Sequence, residues 1–239
     1  MTSSGEPEGE AYARRLEAIV AGHRGEAAVA ARLLDDEDAG VRAAALGALA
    51  RCESLQAAQV RRALGDDAAE VRCRAAELAP PEVELVGLLS DLDASVVEVA
   101  AAALGERDWD SGPVEELCRV AGNHDDPLCR ESAVAALGAI AAGLDADAGT
   151  PHDAAAEPES GPGAPDTAVA GAPHDAARGM ALEMLLAAMD DRPQIRRRAL
   201  LGLYQFDDDR AADAVRSALE DRDRQVRAVA GELLGVPVR

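Results

Sequence analysis

The chain has 239 residues and a formal net charge of −21; 48% of its residues are hydrophobic and only 2% are aromatic. This apolar content is too high for a wholly disordered chain, and the strong negative charge disfavours a protein that binds the phosphates of nucleic acid or an anionic membrane. The scarcity of rings also argues against a large aromatic pocket or a base-stacking platform.

The amino-terminal segment, residues 1–9, is polar and acidic, which predicts a disordered tail. It does not resemble a secretory signal, and no run of eighteen apolar residues predicts a membrane span. Four cysteines without close pairing are typical of a reducing compartment, so we expect a cytoplasmic protein. An amphipathic helix that begins at residue 10 is expected to cap the structure that follows.

Residues 35–50, DDEDAGVRAAALGALA, contain the first of six copies of one pattern. Each copy is counted from an apolar anchor, and the anchors are Val41, Val71, Val96, Cys129, Ile195 and Val226. An alanine stands four places after every anchor, and a leucine or alanine stands eight places after it. Apolar residues at this spacing form one stripe of an α-helix, whereas a strand would alternate with a period of two.

A second helix is predicted before each anchor, because apolar residues recur eleven, eight and seven places earlier. The turn between the two helices carries aspartates placed to cap the second helix: Asp38, Asp93, Asp126 and Asp223. Pro127 and Pro193 stand at the expected first helical position. Glycines are expected to end three of the second helices: Gly105, Gly138 and Gly235. Each copy is therefore predicted to be a helix, a tight turn and a helix.

Two charged columns accompany this pattern. Five places before the anchor stand Asp36, Asp66, Asp91, Asp190 and Asp221, interrupted by His124. One place after the anchor stand Arg42, Arg72, Arg130, Arg196 and Arg227, interrupted by Val97. If the copies stack, these columns become parallel rows, and we predict a structural ladder in which each arginine bridges the turns of adjacent repeats.

The anchors are separated by 30, 25, 33, 66 and 31 residues, a period near that of stacked helical repeats. The predicted fold class is all-α: a right-handed α-α superhelix of about six helical hairpins plus an amino-terminal capping helix. The capping helix and repeats 1–4 take residues 10–142, and repeats 5 and 6 take residues 178–236. Residues 143–177, rich in Pro, Gly, Ala and Asp, are predicted to be a disordered acidic insertion.

The segments DLDASVVEVAAAALG and HDDPLCRESAVAALG resemble HEAT repeats, in the short form known as phycobilisome-lyase-type HEAT-like repeats. This resemblance implies a HEAT-like solenoid, an architecture used by scaffolds, transport factors, bilin lyases and a few enzymes. The iron-dependent hydroxylases of this architecture carry His-Glu dipeptides. Here no histidine precedes a glutamate: His23, His124, His152 and His174. The resemblance therefore implies no di-iron site.

The cysteines are interpreted as small hydrophobic residues. Cys118 and Cys129 occupy columns filled elsewhere by aliphatic side chains, and Cys52 and Cys73 show no ligand spacing. No cofactor and no metal are expected.

The segment 190–206, DDRPQIRRRALLGLYQF, is a basic cluster in an acidic chain. Arg197 and Arg198 stand two and three places after the anchor, on the side of the second helix that is concave in HEAT-like solenoids. Charged residues at these positions in other repeats are Arg74, Glu98 and Glu131. These five residues are candidates for protein binding, although two solvated arginines on an exposed helix would account for the cluster equally well.

Our expectation is a non-enzymatic, monomeric scaffold or adaptor that binds another protein through its concave surface. The alternatives are a bilin-lyase-like or other small-molecule attachment factor, and a purely structural spacer.

Overall fold

The computed structural model describes residues 6–107, 112–149 and 172–237. Within these ranges the chain forms α-helices and short 3-10 helices and no strand, which confirms the all-α class. The α-helices are α1 (Glu6–Arg24), α2 (Ala27–Arg32), α3 (Ala39–Arg51), α4 (Ala57–Ala63), α5 (Ala69–Glu77), α6 (Ala94–Gly105), α7 (Val114–Asn123), α8 (Pro127–Gly149), α9 (Ala172–Ala187), α10 (Pro193–Leu203), α11 (Asp209–Ser217) and α12 (Arg224–Leu234). The 3-10 helices are Leu33–Asp35, Val86–Ser90, Ala188–Asp190 and Ala218–Glu220. Across the described helices, none has the length and apolarity needed to cross a bilayer.

Where the sequence predicts a capping aspartate or a proline, the second helix of the repeat begins at that point. The Asp38 carboxylate accepts a hydrogen bond from the Val41 amide at 3.0 Å, and Asp223 caps α12 in the same way. Proline opens both α8 and α10. Gly235 ends α12 with φ +65°, a left-handed conformation that glycine adopts without strain.

Gly138 does not end a helix as predicted. It lies inside α8, because the apolar alanine-rich run after it continues the helix to Gly149. A Cβ atom built on Gly138 would lie 2.9 Å from the Cα atom of Gly202 in α10. This glycine therefore permits a close approach of two helices.

The third repeat departs from the predicted pair of α-helices. Its first helix is replaced by the 3-10 helix Val86–Ser90. This repeat is five residues shorter than the one before it, and Pro80 and Pro81 precede the segment, where they remove amide donors and disfavour helical backbone. Leu85 and Leu89 are nevertheless buried, so the apolar positions keep their role without an α-helix.

The boundaries of the predicted tail and insertion also differ. Helix α1 begins at Glu6, so the last four residues of the predicted tail, residues 6–9, belong to the helix. Helix α8 extends to Gly149 and α9 begins at Ala172, so both ends of the predicted insertion 143–177 are helical. The rest of the insertion, residues 150–171, and residues 1–5 lie outside the described residues.

The helices form two compact units, Met1–Ala103 and Leu104–Arg239. In the first unit α3 packs against α1 and α5; in the second, α10 packs against α8 and α12, while α9 packs against α7 and α11. The predicted alanine column is completely buried in every repeat: Ala45, Ala75, Ala100, Ala133, Ala199 and Ala230. Small side chains at this position let neighbouring helices approach closely, and this column forms the core together with the anchors.

Candidate functional site

The charged columns form ion pairs between consecutive repeats in the first unit. Arg42 donates from Nε and Nη2 to the Asp66 carboxylate, at 2.9 and 2.6 Å. Its Nη1 donates to the backbone oxygens of Asp36 and Glu37 in its own turn, at 2.9 and 3.1 Å. Arg72 makes the equivalent bonds to Asp91, both at 2.8 Å, and to the Asp66 backbone. Each arginine thus joins its own turn to the next one.

Two such pairs lie among the described residues of the second unit. Arg196 donates to Asp221 at 2.9 and 2.6 Å, and to the Asp191 backbone at 2.7 Å. Arg130 donates to the carboxylate of Asp191 at 2.8 and 3.0 Å. In the last repeat, Arg227 donates to the Asp221 backbone oxygen of its own turn.

The partner of Arg130 corrects the prediction, which placed Asp190 in the ladder. Asp190 is exposed and ends the 3-10 helix Ala188–Asp190, whereas Asp191 follows that helix directly. An aspartate of the ladder also directly follows each of the three other 3-10 helices in the described residues: Asp36, Asp91 and Asp221. The turn before α10 is one residue shorter than the others, so counting back from the anchor selects the wrong aspartate.

One ladder pair was missed by the column count. Arg14 of α1 donates from Nε and Nη2 to Asp36, at 2.8 and 3.0 Å. The signal in the sequence was the separation of 22 residues, which lies between the 19 of Arg72 and Asp91 and the 24 of Arg42 and Asp66. Helix α1 therefore contributes the arginine that pairs with the turn of the first repeat, as the second helices of later repeats do.

His124 occupies the aspartate column and keeps part of its function. Its Nδ1 accepts a hydrogen bond from the Asp126 amide at 3.1 Å, as the Asp36 carboxylate does from the Asp38 amide. The Arg130 Nη1 donates to the His124 backbone oxygen. The histidine thus organises its own turn, although it brings no carboxylate to the ladder.

The ladder favours ionised aspartates. Hydrogen bonds from Arg14, Arg42, Arg72 and Arg130 lower the pKa of their partners below the ordinary value: Asp36, Asp66, Asp91 and Asp191. Burial opposes ionisation of Asp221, but the hydrogen bonds from Arg196 and from the turn amide still hold its pKa below the ordinary value. Carboxylates of lowered pKa in bidentate pairs are poor proton acceptors at neutral pH, which makes the ladder aspartates unsuited to act as general bases.

An open groove of about 510 Å³ lies on the second-helix face of the first unit. We call it the α1–α5 groove; it is lined by Arg15, Ile19, Ala43, Ala44, Gly47, Arg51, Glu70, Cys73, Arg74 and Glu77. The candidate Arg74 pairs with Glu77 at 2.7 Å. A Cβ atom on Gly47 would lie 2.7 Å from Nη2 of Arg74, so the glycine leaves room for the guanidinium to lie across α3.

A smaller groove of about 220 Å³ lies on the second-helix face of the second unit. This α8–α10 groove is lined by Ala135, Gly138, Ala139, Ala142, Arg198, Leu201, Gly202 and Gln205. The candidate Arg198 lies 3.2 Å from the candidate Glu131. The other two candidates, Arg197 and Glu98, are half-buried and line neither groove.

A third cavity, of about 400 Å³, was not anticipated from the sequence. It lies on the turn side of the first unit, between the turns of the first two repeats, and the ladder pair Arg42 and Asp66 forms part of its wall. A salt bridge between Arg62 and Asp35 joins residues on its rim. The short helices α2 and α4 leave this space beside the apolar side chain of Leu46.

Three of the four cysteines are half-buried: Cys52, Cys73 and Cys118. Cys129 is buried, and burial raises the pKa of the Cys118 thiol to about 11. In the described part of the chain, no three His, Cys, Asp or Glu side chains are placed to hold a metal ion.

No protein-family model and no curated protein matches the chain. Among solved structures, it is similar to an engineered protein with 20% sequence identity and a TM-score of 0.46, over 98% of this chain and 92% of that one. It is also similar to YibA of Escherichia coli with 16% identity and a TM-score of 0.35, over 79% of this chain and 73% of that one. At these values neither likeness supports an inference about function.

Proposed function

We propose that this chain is a non-enzymatic scaffold of HEAT-like repeats, a right-handed α-α superhelix that binds another cytoplasmic protein along the exposed face of its second helices. Two features support the architecture. The second helices α3 and α5 pack against each other, as do α8 and α10, and α10 and α12. Arginine–aspartate pairs also connect consecutive turns. Repeat arrays of this kind offer a long contact strip without a deep pocket.

The observation that carries the proposal is that the same repeat positions line a groove in each unit. The positions three, six and ten places after the anchor are Ala44, Gly47 and Arg51 in α3. In the second unit the same positions are Arg198 and Leu201 in α10 and Gln205 just after that helix. A periodic chain therefore presents a periodic open surface, with small or apolar residues in its floor and arginine at its edge, and arginine is frequent at protein interfaces.

The chemistry of the described side chains favours binding over catalysis. The ladder carboxylates are paired and have lowered pKa values, and the Cys118 thiol has a raised pKa that keeps it protonated at neutral pH. A carboxylate that acts as a general base needs a raised pKa, and a thiol that acts as a nucleophile needs a lowered one.

Affinity capture under native conditions tests the proposal. The full chain is compared with Arg197→Glu/Arg198→Glu and with Ala139→Trp, which fills the α8–α10 groove from an exposed position. Ala187→Trp, at an exposed position outside both grooves, is the matched control. We expect one protein to be retained by the wild type and the control and lost from the groove variants. Equal retention by all four proteins, or no retained protein at any salt concentration, would contradict the proposal, and a coloured preparation would favour the attachment factor.

A further inference from the structure

We propose that the α1–α5 groove, together with an exposed apolar stripe on α1, binds an amphipathic helix of the partner whose docking face carries carboxylates beside its apolar residues. This inference rests on the proposed function and specifies the partner of one groove. It is argued from the shape, the exposed apolar area and the charge of the first unit alone.

Helix α1 exposes three large apolar side chains. Tyr12, Leu16 and Ile19 are 69%, 47% and 39% exposed, and their spacing of four and three residues places them on one face of the helix. With about 100° between successive residues, Tyr12 lies about 20° and Leu16 about 60° around the helix from Ile19. Ile19 itself lines the groove, so the apolar stripe continues its wall.

The other side of α1 is already occupied. Ala18 and Ala21 are buried, and a Cβ atom on Gly22 would lie 2.8 Å from the Cα atom of Ala48 in α3. The exposed stripe is therefore a second apolar face that the fold of the first unit does not use. Apolar residues at such spacing beside a groove are the pattern that packs against a helix of a partner.

The floor of the groove has room for bulky side chains of a partner. Ala43, Ala44 and Gly47 contribute small side chains or none from α3, and the open volume is about 510 Å³. Leucine or phenylalanine side chains of a docked helix would fill this space and bury the stripe on α1. Burial of such side chains contributes most of the binding free energy in helix-in-groove complexes.

The charges around the groove favour a negatively charged partner helix. Three arginines and two glutamates line it, which leaves one positive charge in excess in a chain of net charge −21. Arg74 is committed to Glu77, whereas Arg15 reaches Glu70 only at 4.0 Å. Arg51 is exposed, and among the described residues no carboxylate lies within ion-pair distance of it. Carboxylates of a partner helix would complement the positive charges of Arg51 and Arg15. A basic helix would instead be repelled by these two arginines, because among the described residues neither has a carboxylate partner closer than 4.0 Å.

Peptide binding to the full chain tests this inference. The probe is a fluorescein-labelled helical peptide of about 16 residues with leucines on one face and glutamates flanking them. Its comparison peptides carry lysine in place of glutamate, or the acidic composition in scrambled order. We expect the acidic peptide to bind most tightly in fluorescence anisotropy. Arg51→Glu and Tyr12→Ser/Leu16→Ser should each weaken its binding by about tenfold.

The matched control is Arg32→Glu, an exposed arginine on α2 of the same unit that does not line the groove. Its affinity for the acidic peptide should stay within about twofold of the wild type, since isolated surface charges contribute little. Arg51→Glu should in turn gain affinity for the lysine peptide, a reversal that misfolding would not produce. Circular dichroism checks that all variants keep their helicity.

Equal affinity for the acidic, basic and scrambled peptides would overturn the inference. A concentration-dependent dimer that disappears in the same variants would also overturn it, because the occupant would then be a second copy of this chain. The two proposals can fail separately. If the captured protein is lost from Ala139→Trp but retained by Arg51→Glu, the scaffold proposal stands and the partner proposed for the α1–α5 groove is wrong.

Discussion

Arg42 and Asp66 form a bidentate ion pair between consecutive repeats, with the guanidinium Nε and Nη2 at 2.9 and 2.6 Å from the two carboxylate oxygens. The third nitrogen of the same guanidinium, Nη1, binds the backbone of the preceding turn. A planar fork with fixed donor directions can make all these bonds at once, whereas a lysine ammonium cannot match the bidentate geometry. The pair therefore sets the distance between two turns as well as neutralising two charges.

The pair of Arg196 and Asp221 predicts a large difference between breaking and replacing a ladder contact. The Arg196 side chain is 4% exposed. In Asp221→Ala a buried guanidinium loses its counterion, and we expect the free energy of unfolding to fall by about 3 kcal/mol. Guanidinium chloride unfolding followed by circular dichroism measures this change.

The control replaces both partners. Arg196→Met/Asp221→Leu removes both charges, and we expect it to lie within about 1 kcal/mol of the wild type, since no buried charge is left unpaired. A double variant as unstable as Asp221→Ala would show that the ion pair itself, and not the unpaired charge, accounts for the loss.

The lowered pKa values of the ladder aspartates predict acid sensitivity. A group whose pKa is lower in the folded state stabilises the fold above its unfolded value, about 3.9 for aspartate, and this stability is lost as the pH falls through the folded value. We therefore expect the melting temperature to drop below about pH 4 as Asp36, Asp66, Asp91 and Asp191 become protonated.

Measurement of this effect requires high salt. Acid also relieves the self-repulsion of a chain with a net charge of −21, which opposes the loss, and about 1 M NaCl screens that repulsion. The variant Arg42→Met/Asp66→Leu lacks one pair and should show a shallower drop between about pH 4 and pH 2. Identical curves for the two proteins would refute the assignment to the ladder.

The close approach at Gly138 predicts opposite effects for two glycine-to-alanine changes. In Gly138→Ala the new Cβ atom would lie 2.9 Å from the Cα atom of Gly202, so α8 and α10 must separate. We expect a loss of about 1–3 kcal/mol despite the better helix propensity of alanine. A Cβ atom on Gly179 in α9 meets no atom within 4 Å, so Gly179→Ala should stabilise by about 0.5–1 kcal/mol. Thermal melts of both variants decide the point, and stabilisation by both would mean that the helices are not in contact at Gly138.

The buried alanine column predicts that Ala100→Asp is severely destabilising. Ala100 is completely buried in α6, and a carboxylate there would have no counterion, which costs about 3 kcal/mol or more. Ala102→Asp, two residues later and exposed on the same helix, should change the melting temperature by only a few degrees. A mild effect of both substitutions would show that the column does not form the core.

The starts of the capped second helices, their capping aspartates and the buried alanine column followed from the amino-acid pattern, because each depends on spacings within about two turns of one helix. The anchors from Val41 to Val226 and the alanines four places after them are buried as the periodicity indicates. The all-α class follows from the same local rule.

The ladder partner Asp191, the additional pair of Arg14 with Asp36, and the 3-10 helix Val86–Ser90 required the three-dimensional arrangement. Column counting assumes that every turn has the same length, and the turn before α10 is one residue short. The grooves depend on which side chains of neighbouring helices stay uncovered, as Ile19 and Leu201 do. Packing between elements that are distant in the chain controls that exposure, and periodicity within one helix does not contain this information.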